Sequence, residues 1–325
     1  ARPMPADTFY GDMDGEWTDA DGDGIYDQNA IPSDVELMVG RVDFANLPGQ
    51  YSPVRYPDEV ELLRRYLDKN HAFRQAAMRP ARRALIGNAI GDASGQGYAA
   101  TGYRSFAPLL GSDNVMTSGV GVATPENERW LARLSADSYL WAFGCGGGSV
   151  FTVGGLGPHG AYADLWASDF IEHKAKGTFY LMFGSWFSEW QKSDNVLRTA
   201  LASPEFGLTA SWAGRPHQFY HYMGVGEPIG AGLRLSQNNR GLYQNNVQRQ
   251  LRGVHIALLG DPTLRMHIIA PPTDVAAAVE GGEVAVTWKA SPDAVLGYHV
   301  YRGASTAGPF TRVSEALVTD PLRFV

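Results

Sequence analysis

The chain has 325 residues, a net charge of −7, 44% hydrophobic and 19% charged residues, and one cysteine. This describes a globular protein able to bury a large core in two domains, or in one domain with an appendage. It excludes an internal disulfide. Without a basic cluster beyond pairs such as Arg64-Arg65 and Arg82-Arg83, nucleic acid is not an expected partner, and no run of 18 apolar residues predicts a membrane span.

Residues 7–34 read as an aspartate-rich loop. Within it, "DADGDGIYD" (19–27) sets Asp19, Asp21, Asp23 and Asp27 at positions 1, 3, 5 and 9, with Gly24 at position 6. A hard cation needs six to eight oxygens from a chain that curls around it. Alternate aspartates offer the oxygens, Gly24 permits the turn, and the Ile25 carbonyl can close one side. The pattern is similar to calcium loops of thrombospondin type 3 repeats and to the first half of an EF-hand, although position 12 is Ala30 rather than glutamate. Further ligands must come from nearby, with Asp12, Asp14 and Glu16 at hand. The expectation is structural Ca2+ held by Asp14, Asp19, Asp21, Asp23, Ile25 and Asp27. The alternative is a solvated acidic turn. A half-loop of this kind fills only where calcium is millimolar, as outside cells.

"VELMVGRVDF" (35–44) predicts a short buried strand. "PDEVELLRRYLDKNHAF" (57–73) predicts a helix with Val60, Leu63, Leu67 and His71 on one face. "RRALIGNAIGDASG" predicts a strand opening into a glycine-rich loop. Apolar runs follow at 139–143, 178–183, 208–212 and 254–259. Continuous rather than alternating apolar strands imply a largely parallel sheet covered on both faces, hence an α/β domain over residues 1–268. Pro271-Pro272 marks a linker. Beyond it, alternation around Trp288, Tyr298 and Tyr301 predicts antiparallel strands. The double proline, the tryptophan, "GYHVYR" and "GPFTRV" make residues 269–325 resemble a fibronectin type III domain lacking its last strands. Both chain ends read as cuts through a longer, multidomain polypeptide.

Several stretches of residues 9–268 resemble the gingipain-type cysteine peptidases, relatives of the caspases. The acidic loop followed by "VGR", the helix at 57–73, "RRALIGN", and "LLGDPTLRMH" (258–267) occur in that family's order. The resemblance implies a caspase-like, mostly parallel sheet flanked by helices, and a secreted or cell-surface protein. In that family one apolar strand ends in Gly-His-Gly, giving the catalytic histidine, and a later one ends in Ala-Cys, giving the nucleophile. Here the first ends "WAFGCGG" and the second "FYLMFGSWF". Cys145 therefore stands where the histidine is expected, and Gly184 or Ser185 where the cysteine is expected.

A change of histidine to cysteine removes the general base. The expected protein is a peptidase homologue without working catalysis, serving as a binding or structural protein. The rival is a cysteine endopeptidase rewired around Cys145 with His159 or His217, or a Ser185 hydroxyl paired with a histidine. For Cys145 the plainer reading is a small buried hydrophobe. Aromatic-rich "GSWFSEWQ" and "ASWAGRPHQFYHYMG" nominate Trp186, Trp212, His217 and Tyr220 for stacking on a peptide or glycan, although packing is the more frequent use of such residues. No H-E-x-x-H occurs and one cysteine cannot build a thiolate zinc site, so catalytic zinc is not expected.

Overall fold

The structure, a computed structural model, describes residues 3–47, 56–93, 96–212, 218–241 and 251–325. It divides into two units, residues 1–70 with 80–267 and residues 71–79 with 268–325.

The first unit is α/β. Its six-stranded sheet comprises β1 (Ala84–Asn88), β2 (Val115–Thr117), β3 (Tyr139–Cys145), β4 (Gly177–Phe183), β5 (Thr209–Trp212) and β6 (Ala257–Gly260). Across the sheet the order is β6-β5-β4-β3-β1-β2, parallel throughout except for the antiparallel edge strand β6. Helices are α1 (Glu59–Arg74), α2 (Ala100–Leu110), α3 (Trp130–Ala136), α4 (Asp169–Glu172), α5 (Val196–Leu201) and α6 (Ile229–Gln237).

The central strands are buried on both faces along nearly their whole length. β3 is buried along its whole length, which is why it reads as an unbroken apolar run. The row Leu85, Ala142, Tyr180, Ala210 faces one layer, where Trp130 of α3 and Phe170 of α4 pack edge-on to Tyr180 at 6.1 and 5.3 Å. The alternate row carries Trp141, which touches Phe106 of α2, Phe179 and Tyr220 at 5.2, 5.2 and 5.1 Å.

Two expectations are corrected. Residues 35–44 form no strand; only Arg41 bridges to the sheet edge, its N–H donating to Leu258 and its carbonyl accepting from Gly260. Leu37 and Met38 stay exposed there, and only Val35 and Phe44 at the ends of the run are buried. On α1, the expected apolar stripe faces outward: Val60, Leu63 and Leu67 are exposed. Leu62, Tyr66 and Lys69 turn inward instead. Tyr66 Oη donates to the Leu208 carbonyl at 3.0 Å and accepts from Asp261 N–H at 2.8 Å, tying α1 to β5 and β6.

A charged residue on the buried face misled the pattern. The Lys69 ammonium donates to the carbonyls of Leu201, Ser203 and Phe206 at the C-terminal end of α5. Burial pushes its pKa well below that of a free lysine, while three carbonyl acceptors match the three N–H donors of the charged form.

The second unit is all-β beside residues 71–79. β7 (Thr273–Glu280), β8 (Glu283–Lys289) and β11 (Arg323–Phe324) form one antiparallel sheet, and β9 (Tyr301–Gly303) pairs with β10 (Phe310–Arg312). Trp288 and Tyr298 meet edge to face at 5.5 Å, and Tyr298 Oη accepts the Ser291 N–H. Every residue of β7 is exposed.

Lys69→Met keeps the buried stem but strips three carbonyls of their donor. Urea denaturation is expected to show a loss of about 2–4 kcal/mol. A variant as stable as the wild type would contradict the capping role.

Candidate functional site

The chain runs from β1 outward to β2, then returns to place β3 on the other side of β1. The carboxyl ends of β1 and β3 therefore flank the point where strand order reverses, where open α/β sheets hold their ligands. Asn88 is the register partner of Cys145, and Cys145 is the register partner of Phe183. Gly146 N–H donates to the Phe183 carbonyl at 3.1 Å. Positions 145 and 184 thus sit side by side on one rim.

The crevice between β1 and β3 is sealed. Ala89 N–H donates to the Cys145 carbonyl at 2.7 Å, and Cys145 has no exposed surface. Desolvation pushes its thiol pKa up to about 12, against a smaller opposing pull from the Ile90 backbone. Burial thus disfavours the thiolate, and a thiol is a nucleophile only as thiolate.

The opening lies one strand over. A cleft of about 720 Å³ sits above the ends of β4 and β5, lined by Phe183, Gly184, Ser185, Trp212, Tyr98 and His255 among others. Tyr98 stacks on Phe183 at 4.9 Å. Trp212 donates its indole N–H to the Gly184 carbonyl at 2.9 Å and meets His255 edge-on at 5.4 Å. The far wall includes Asp21, Asp23 and Asp27 of the acidic loop and residues 3–6 of the N-terminal segment. Two features far apart in sequence, the strand ends and the aspartate loop, share one cleft.

The segment after β4 is held by two buried side chains. Asn195 caps α5 by accepting from Leu197 and Arg198 N–H, and donates to the Phe187 carbonyl. Arg198, 2% exposed, donates to the carbonyls of Trp190, Lys192 and Asp43. This fixes Ser185 and Trp186 as exposed positions on the rim. It also packs Phe187 beneath Gly184, where a Cβ would lie 2.3 Å from the Phe187 ring. A side chain at 184 therefore requires the Phe187 ring to move.

The remaining candidates scatter. His159 is engaged with Asp169, its Nε2–H donating to the carboxylate at 2.8 Å, and its ring stacks on Trp166 at 4.2 Å. Tyr220 is corrected from ligand contact to core, fully buried against Trp141. Trp212 is a nearly buried wall of the cleft, 6% exposed, and Trp186 stands 41% exposed on the rim. His217 lies outside the described residues. His255 and Tyr98 were missed. His255 precedes the antiparallel strand β6, whose start meets the end of β5 through the Ala257–Trp212 pair; only knowledge of strand direction places it there.

In the acidic loop, Asp19, Asp21 and Asp27 bring carboxylate oxygens within 4.8 Å of one another. Asp19 accepts from Gly22, Asp23 and Gly24 N–H, and Gly24 takes the left-handed φ of +84° that the sharp turn requires. Asp23 is turned aside to accept the Ile25 N–H at 2.8 Å. Asp14 belongs elsewhere, in a second cluster with Asp12 and Glu36.

No family model, curated protein or solved structure matches this chain. Among the described residues, no helix is long and apolar enough to cross a membrane.

Gly184→Ala forces the Phe187 ring to move and is expected to cost about 1–3 kcal/mol, read as a lower melting temperature. An unchanged melting temperature would mean that position 184 tolerates a side chain.

Proposed function

We propose that this is a non-catalytic gingipain-like protein, calcium-stabilised and extracellular, whose rim cleft holds a peptide and whose second unit is an incomplete fibronectin type III module. One observation carries the reading: the thiol at the strand end that would serve catalysis is fully buried, while an open cleft lies directly beside it. The adjacency of positions 145 and 184 supports descent from the family's paired strand ends. The loss of both residue types supports loss of the chemistry.

The cleft offers what a bound peptide needs. Tyr98 and the nearly buried Trp212 line it with aromatic surface, and Ser185 adds a hydroxyl at the rim. Calcium on Asp19, Asp21 and Asp27 would neutralise the acidic wall and fix its shape. The donor set, carboxylate oxygens alone, suits a hard cation.

The exposed Ser185 makes a direct test available. On a peptide array in millimolar calcium, Ser185→Arg is expected to lose at least tenfold of wild-type binding by filling the cleft. Binding confined to a glycan array would overturn the peptide assignment, and peptide cleavage abolished in Cys145→Ala would restore the enzyme reading. Separately, millimolar calcium is expected to raise the melting temperature by about 3–6 °C, with Asp19→Asn abolishing the rise. An equal rise in that variant would exclude the loop as the calcium site.

A further inference from the structure

The loop carrying His159 and the helix α4 meet at one buried carboxylate. Asp169 opens α4 and its side chain has no solvent exposure. Its Oδ2 accepts the Trp166 backbone N–H at 2.8 Å, and its Oδ1 accepts the His159 Nε2–H at 2.8 Å. His173 Nε2 faces the same Oδ1 from 3.9 Å, beyond hydrogen-bond reach. Helical spacing explains the convergence, since residues 169, 172 and 173 stand at i, i+3 and i+4. One donor atom from each of Asp169, Glu172 and His173 lies within 4.8 Å of the others.

We infer that Asp169, Glu172 and His173 form a site for a divalent transition metal of the zinc class, with His159 as the residue that positions the Asp169 carboxylate. Bonds of 2.0–2.1 Å to a tetrahedral ion put neighbouring donors about 3.4 Å apart. The 3.9 Å between Asp169 Oδ1 and His173 Nε2 closes to that span by a small side-chain adjustment. A ring nitrogen with two carboxylates suits zinc and its neighbours, whereas calcium and magnesium take oxygen donors. This cluster and the acidic loop therefore select different ions.

The buried position of Asp169 matters because a buried carboxylate needs charge compensation. His159 and the Trp166 N–H supply hydrogen bonds, and a cation would complete the neutralisation. An outer hydrogen bond that orients a ligating carboxylate is a common second layer around metals, and stacking on Trp166 holds the His159 ring for it. His173, with 40% side-chain exposure, leaves the ion reachable from solvent. Three protein ligands leave one position for water.

The test titrates zinc chloride into the metal-stripped full chain, with millimolar calcium present to occupy the acidic loop. Calorimetry is expected to give one equivalent. His173→Ala and Glu172→Gln should each weaken it at least tenfold, while Asp19→Asn leaves it unchanged. His159→Gln should keep the stoichiometry and weaken affinity about tenfold. X-ray absorption of the zinc-loaded wild type needs no variant and should show one imidazole in the coordination shell. Equal affinity in wild type and His173→Ala, all-oxygen coordination, or no binding below millimolar zinc would each overturn the proposal.

Discussion

The parallel pairing of β3 with β4 is the constraint on which the α/β unit depends. It sets Cys145 opposite Phe183 and brings Gly146 N–H to the Phe183 carbonyl. Because side chains alternate along a strand, a slip of one residue would turn Trp141, Phe143, Phe179 and Leu181 to the wrong layer. The same pairing lays two strand ends on one rim and leaves room above β4 and β5 for a cleft. Core packing and site position are thus one decision made by one register.

What surrounds that rim is settled by buried polar groups rather than by hydrophobic pattern. Arg198 and Asn195 gather the carbonyls of the segment after β4, Tyr66 joins β5 to β6, and Lys69 closes the end of α5. Each spends its donors on backbone carbonyls that would otherwise be buried without partners, which costs roughly 1–3 kcal/mol apiece. The irregular stretches near the cleft are ordered by these few side chains.

Much of the sheet was legible in the chain because fully buried strands leave continuous apolar runs; β3 and β4 fall within a few residues of 139–143 and 178–183. The inward face of α1 was not legible, since Lys69 hides a buried position behind a charged side chain. Residues 35–44 misled in the opposite sense, apolar yet largely outside the sheet. At the site, the strand ends at 145 and 184 could be read from glycines that close apolar runs. His255 and Tyr98 could not, because they reach the cleft through strand direction and through stacking on Phe183, neither of which leaves a local pattern. Tyr220, in an aromatic-rich stretch, shows that such composition serves the core as readily as a surface.

Chemistry at the rim depends on the state of one thiol, and the chain has only one cysteine, so it can be titrated without ambiguity. Ultraviolet thiolate absorbance of the native protein, followed against pH with Cys145→Ser as the blank, reads that state directly. A sealed thiol whose pKa burial pushes to about 12 shows no thiolate signal below about pH 10. A titration with its midpoint below about pH 8, absent from Cys145→Ser, would reveal an activated nucleophile and contradict the reading of a silent site.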